Sequence, residues 1–219
     1  MQTVYCISGL GADEKVFKFL DLSFVHPVFI HWITTLKNET LRDYALRLKK
    51  QFIAGENPVI IGLSLGGMIA TEIVKDTPGA KAIIISGAKS KNELPSRMLM
   101  LRFIPLYKIL PDAFIKKSLR IQRYFLGARS KTARSYIRFA LKNADTDFYK
   151  WAIGAIMKWD NKIIPSGIIH IHGTNDKLLP YKFVKADYTI KDGGHLMIIE
   201  NADEISTLIK KLLENQQEG

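Results

Sequence analysis

The sequence has almost no cysteine, no long apolar run, and few acidic residues in its middle third, and each shortage excludes something. Cys6 is the only cysteine among 219 residues, so no internal disulfide can form, which suits a reducing compartment. It lies in an apolar run and reads as a small buried side chain rather than a nucleophile. No stretch approaches the roughly 18 uncharged apolar residues of a membrane span. The opening residues Met1-Gln2-Thr3-Val4-Tyr5 contain neither the basic n-region nor the long apolar h-region of a secretory signal. A cytoplasmic protein is expected, which makes the Asn38-Glu39-Thr40 sequon incidental.

At 47% hydrophobic and 24% charged, the composition is that of a globular domain with a core of its own, which excludes a disordered chain. The charge is uneven. The net charge is +11, and the segment from Lys91 to Asp160 holds 15 Lys and Arg against 5 Asp and Glu, so nearly all the excess sits there.

Short apolar runs alternate with helical patterns through the first ninety or so residues. Strands are expected at Thr3–Ile7, Val28–Ile33, Pro58–Leu63 and Ala82–Ser86. Between them lie a short helix over Asp13–Leu20, a helix capped by Asn38 that carries Leu41, Ala45, Leu48 and Phe52 on one face, and a helix over Leu65–Lys75. The pattern resumes with strands at Gly167–His172 and Tyr188–Lys191 and a terminal helix over Asp203–Glu214. Strands apolar on both faces belong in a parallel sheet with crossover helices. The expected fold is α/β, with a mostly parallel sheet of about six strands and flanking helices. The segment 91–162 has no good strand, and Pro95, Pro105 and Pro111 break its first part. It reads as a helical, basic insertion after the fourth strand, with 1–90 and 163–219 forming the core.

Gly62-Leu63-Ser64-Leu65-Gly66 matches G-x-S-x-G after an apolar strand and before a helix, the setting of a nucleophile elbow. A serine hydroxyl needs a base to take its proton. Downstream, His172-Gly173-Thr174-Asn175-Asp176 follows a strand, and Gly193-Gly194-His195 precedes the last helix, giving the order Ser, Asp, His. Ser64 is the candidate nucleophile, His195 the base and Asp176 the acid that orients it. For the oxyanion hole the candidates are the N–H of Leu65 and, in the loop Ser8-Gly9-Leu10-Gly11, the N–H of Leu10. That loop completes neither a dinucleotide fingerprint nor a phosphate loop.

These motifs resemble the α/β-hydrolase superfamily in its small, cap-bearing, carboxylesterase- or thioesterase-like form, and the resemblance covers most of the chain. It implies a cap at 91–162 and no cofactor. Two departures stand out: Ser8-Gly9 replaces the His-Gly common in the oxyanion loop, and the family's first hairpin is lacking. A serine at position 64 argues against dehalogenase and epoxide-hydrolase chemistry, for which the resemblance implies aspartate.

His170 and His172 share a strand face but lack the further ligands of a zinc site, so no metal is expected; His172 is read as bracing the acid loop. In the insertion, Tyr107 to Phe125 interleaves apolar residues with Lys108, Lys116, Lys117, Arg120 and Arg123. It reads as a solvated basic face, an attractor of anionic substrates, or a contact with an anionic membrane. Nucleic acid is not expected as a partner, since no recognition motif is present. Phe103, Tyr107 and Trp151 are candidates to shape an acyl pocket.

The leading expectation is hydrolysis of a small-molecule ester or thioester through an acyl-enzyme. A triad-dependent C–C hydrolase, lyase or acyltransferase acting on an anionic metabolite is the alternative. A non-catalytic ligand-binding protein on the same fold is the alternative of another class.

Overall fold

The computed structural model of the chain describes residues 1–96 and 125–215. Its six strands are β1 (Thr3–Ile7), β2 (His26–Ile30), β3 (Val59–Leu63), β4 (Lys81–Ile85), β5 (Ile168–Gly173) and β6 (Tyr188–Ile190). They form one sheet in the order β2-β1-β3-β4-β5-β6, and every neighbouring pair is parallel. The helices are α1 (Leu41–Phe52), α2 (Leu65–Asp76), α3 (Lys131–Lys142), α4 (Thr146–Lys158), α5 (Met197–Glu200) and α6 (Ala202–Asn215).

The two-residue period of a strand sorts its side chains between two cores. Tyr5, Ile7 and Ile60 pack with Tyr44 and Leu48 of α1 and Ile69 and Ile73 of α2. Val4, Cys6 and Ile61 pack on the opposite face with Val16 and Phe17 of a 3-10 helix (Glu14–Phe19) and with Ile205 and Ile209 of α6. All five residues of β3 are buried, as a central strand covered on both faces requires. Burial pushes the Cys6 thiol up to about 12, which leaves it an inert core side chain.

From β1 the chain moves outward to β2 and then returns to β3 on the other side of β1. The loops after β1 and β3 therefore leave the sheet in opposite directions, and a crevice opens at the carboxyl ends of these strands.

Between β4 and β5 the described residues contain helices and no strand. α3 contributes Ala133 and Ile137 to one core, and α4 contributes Phe148, Ala152, Ile156 and Trp159 to the other. The two ends of this insertion are fastened together. The Lys91 N–H donates to the Asn161 carbonyl at 2.8 Å, and Asn161 Nδ2 donates to the Lys89 carbonyl at 3.1 Å. The buried Glu93 carboxylate accepts the N–H groups of Lys89 at 2.6 Å and Lys185 at 3.1 Å. Among the described residues no helix is long and apolar enough to cross a membrane.

Two local expectations are corrected, and a third is made specific. β2 ends at Ile30 rather than Ile33, because its partner β1 ends at Ile7, opposite Ile30. Beyond that point Ile33 bonds through its N–H to the Tyr44 hydroxyl at 2.9 Å instead of to a ladder. Thr40, not Asn38, caps α1: Asn38 takes a left-handed turn conformation at φ 61°, while Thr40 and Asp43 form a reciprocal capping box. The stretch after Asp13 is a 3-10 helix of 6 residues.

Candidate active site

Ser64 sits on the turn that joins β3 to α2, at φ 52° and ψ −111°, a strained conformation for a residue with a side chain. Its N–H donates to the Ile85 carbonyl at 2.8 Å, which fixes the turn to β4. The flanking glycines are required by close approach. A Cβ on Gly62 would lie 2.5 Å from the Gly66 carbonyl oxygen, and one on Gly66 would overlap the Ile7 carbonyl oxygen. The loop after β1 lies against the serine, with the Cβ position of Gly9 3.3 Å from Ser64 Cβ.

The structure brings the other two sequence candidates to Ser64. His195 Nε2 is 2.9 Å from Ser64 Oγ, and His195 Nδ1 is 2.7 Å from Asp176 Oδ2. Asp176 and His195 are both buried, while Ser64 is half-buried. The second oxygen of Asp176 accepts the N–H groups of Leu178 at 2.8 Å and Leu179 at 2.9 Å. Burial alone would raise the Asp176 carboxyl, but the His195 ring, its hydrogen bond, the Leu179 N–H and His172 together hold it below the ordinary carboxylate value. An ionised carboxylate only accepts, so His195 carries its proton on Nδ1 and presents a bare Nε2 to the serine hydroxyl.

Behind the acid lies a buried histidine pair. His172 Nε2 donates to the Leu179 carbonyl at 2.8 Å and lies 3.5 Å from Asp176 Oδ2. Its Nδ1 then accepts from His170 Nε2 at 3.2 Å, which leaves His170 Nδ1 buried without a hydrogen-bond partner. Burial holds His172 below the usual histidine range. Burial, together with the neighbouring His172 and Lys89, holds His170 well below it. His172 thus ties the acid loop to β5 in neutral form. Among the described residues no group of three or more His, Cys, Asp or Glu is placed to hold a metal ion.

Leu65 is the first residue of α2, so its N–H has no partner within the helix and stands at the helix's positive end. In the loop after β1, the Gly9 carbonyl accepts the Ala12 N–H at 3.0 Å, and the trans peptide points the Leu10 N–H the opposite way. Ser64 and His195 open onto a cavity of about 280 Å³, whose described lining includes Leu10, Leu65, Met68, Tyr149 and Ile156. Of the aromatics considered for this pocket, Phe103 and Tyr107 lie outside the described residues, as does the basic stretch from Tyr107 up to Phe125. Trp151 is excluded by its position: its ring lies tilted against Tyr44 with centroids 4.5 Å apart, and it donates to the Glu39 carbonyl at 3.0 Å, facing a different cleft. Sequence reasoning missed the part played by Tyr149 and Ile156, because helical spacing alone does not say which face of α4 meets the serine.

The model of the alpha/beta hydrolase family matches residues 7–208. No curated protein matches the chain in sequence. Among solved structures, a thermophilic esterase from Thermogutta terrifontis is similar at 15% identity and a TM-score of 0.77, covering 98% of this chain and 90% of that one. A hydrolase from Oleispira antarctica is similar at 13% identity and a TM-score of 0.76, covering 98% and 92%. MenH from S. aureus is similar at 16% identity and a TM-score of 0.75, covering 99% and 94%. At such identities the likeness is one of fold.

Proposed function

This chain belongs to the alpha/beta hydrolase family, and from that premise we propose that it is a serine hydrolase cleaving a carboxylic ester or thioester through an acyl-enzyme. The observation that carries this reading is the unbroken chain Asp176–His195–Ser64, at 2.7 and 2.9 Å, ending at the mouth of a cavity. Ser64 Oγ attacks the acyl carbon while His195 Nε2 takes its proton. The tetrahedral oxyanion is held by the N–H groups of Leu65 and Leu10. Collapse expels the alcohol or thiol with the proton from His195 and leaves the acyl group on Ser64. His195 then deprotonates a water, which attacks the acyl-enzyme and frees the carboxylic acid. Asp176 keeps the imidazole in the productive tautomer and stabilises its charged form.

The described part of the insertion 91–162 supplies Leu94, Leu126, Tyr149 and Ile156 to the cavity wall, and it serves as the cap. Its basic excess is the surface for an anionic leaving group or an anionic bilayer. Sedimentation with anionic vesicles that weakens with salt would support the bilayer.

Hydrolysis of p-nitrophenyl esters by the parent and by Ser64→Ala tests the reading. Activity that falls on the order of 10⁴-fold or more in the variant supports it. Equal activity in both proteins assigns the hydrolysis elsewhere, and inert parent protein directs attention to the lyase and C–C hydrolase alternatives.

A further inference from the structure

Two cavities share a wall, and one of them reaches the nucleophile. The first, about 280 Å³, contains Ser64 and His195. The second, about 400 Å³, is bounded by Trp32, Thr34, Phe139 and Asn143 and reaches neither catalytic side chain. Five described residues border both: Gly11, Ala12, Ala140, Ala144 and Tyr149. Four of these five have nothing beyond a methyl group, so the ring of Tyr149 supplies the bulk of the partition.

That ring is firmly placed. Tyr149 is buried and clusters with Leu10, Ala144 and Ile153. It lies in the first turn of α4, where its N–H donates to the Asp145 carbonyl at 3.0 Å. The Asp145 side chain caps the same turn, accepting from the N–H groups of Asp147 and Phe148. Leu10 of the loop after β1 packs against the ring, and a Cβ added at Gly11 would lie 3.6 Å from Tyr149 Cε2.

The first cavity also has a definite chemistry. Apart from Ser64, His195, Tyr136 and Tyr149, every described lining residue is apolar or glycine, and none carries a formal charge. A neutral hydrocarbon chain is the group such a space favours.

We propose that Tyr149 ends the acyl-binding cavity and so restricts the protein to neutral, straight-chain acyl groups of medium length. This rests on the serine-hydrolase reading above. A methylene takes up about as much room as a water, roughly 30 Å³, so a 280 Å³ cavity holds about nine carbons. Each methylene that enters gains about fourfold in binding or in kcat/KM. The gain stops where the chain meets Tyr149.

The test reads binding without turnover. Straight-chain methyl esters from butyrate to palmitate are titrated calorimetrically into Ser64→Ala, alone and combined with Tyr149→Ala or with Ile153→Trp. In Ser64→Ala, affinity should rise about fourfold per methylene and level off near nine carbons. Tyr149→Ala opens the way into the second cavity and should lengthen that limit by about four carbons or more, given roughly 30 Å³ per carbon. Ile153→Trp fills the near side of the partition and should shorten it. A limit that stays put in Tyr149→Ala overturns the proposal, and so does the absence of ester binding by Ser64→Ala. Should Tyr149→Ala fail to fold, Tyr149→Leu, which removes part of the ring's bulk, should still lengthen the limit, and an unmoved limit there overturns the proposal. The same ester series, assayed for hydrolysis in the otherwise unaltered chain, separates the two readings. Turnover with an unmoved limit refutes only the role of Tyr149. A limit that moves in a protein without esterase activity refutes only the hydrolase reading.

Discussion

The rings of His170 and His172 meet edge to face with centroids 5.1 Å apart, and the pair is closed to solvent. Both are held neutral by burial, below the ordinary value of 6.5 at which they would titrate in the unfolded chain. The unfolded state therefore binds more protons below that value, and stability falls as pH drops through it. The slope approaches about 1.4 kcal/mol per pH unit for His170, which is held well below that value, and His172 adds to it with the same sign. Urea midpoints taken near pH 8 and pH 5.5 should differ accordingly, and His170→Gln should flatten the difference. Asp176, held low, adds a separate loss below 3.8, where the unfolded carboxyl gains its proton first.

Ser64 stores strain that glycine would release. At φ 52° a Cβ is unfavourable, so Ser64→Gly should be more stable than Ser64→Ala by about 1 kcal/mol, although both lack the hydroxyl. Thermal melting of the two variants measures this. Equal melting points would mean that the turn relaxes once the hydroxyl is gone.

Asp176→Asn keeps an oxygen for the Leu178 and Leu179 N–H groups but loses the charge facing His195. The fold should persist while kcat falls about 10⁴-fold, because the imidazole is then held in the wrong tautomer. Ester hydrolysis beside a circular-dichroism melt distinguishes this from simple unfolding.

Glu93→Ala strips the acceptor from two backbone N–H groups, those of Lys89 and Lys185. The Lys89 N–H is buried, and orphaning it costs about 1–3 kcal/mol, whereas the Lys185 N–H, on an exposed residue, can turn to water. A loss of about 1–3 kcal/mol is expected from urea unfolding, with Glu93→Gln losing less because its amide oxygen still accepts one of the two.

The elbow was legible in the sequence because its requirements are local: an apolar strand, a serine between two spaced glycines, and a helix, all within β3 and α2. The order of Asp176 and His195 was legible for the same reason, each following its strand. The end of β2 was not, since it is decided by the length of a partner some twenty residues away in sequence. Thr40 carried the signal that Asn38 lacked, an acidic residue three positions on, and the structure uses it. The partition by Tyr149 depends on how α4 lies over the loop after β1, a relation that no periodicity encodes.

The chain leaves the core at Lys89–Lys91 and re-enters it at Asn161, where backbone and side-chain hydrogen bonds join the two. Because the gateway is closed by the core itself, the entropy of closing whatever lies beyond it grows only with the logarithm of its length. Each doubling of the chain length between these two points would therefore cost only about 0.6 kcal/mol more.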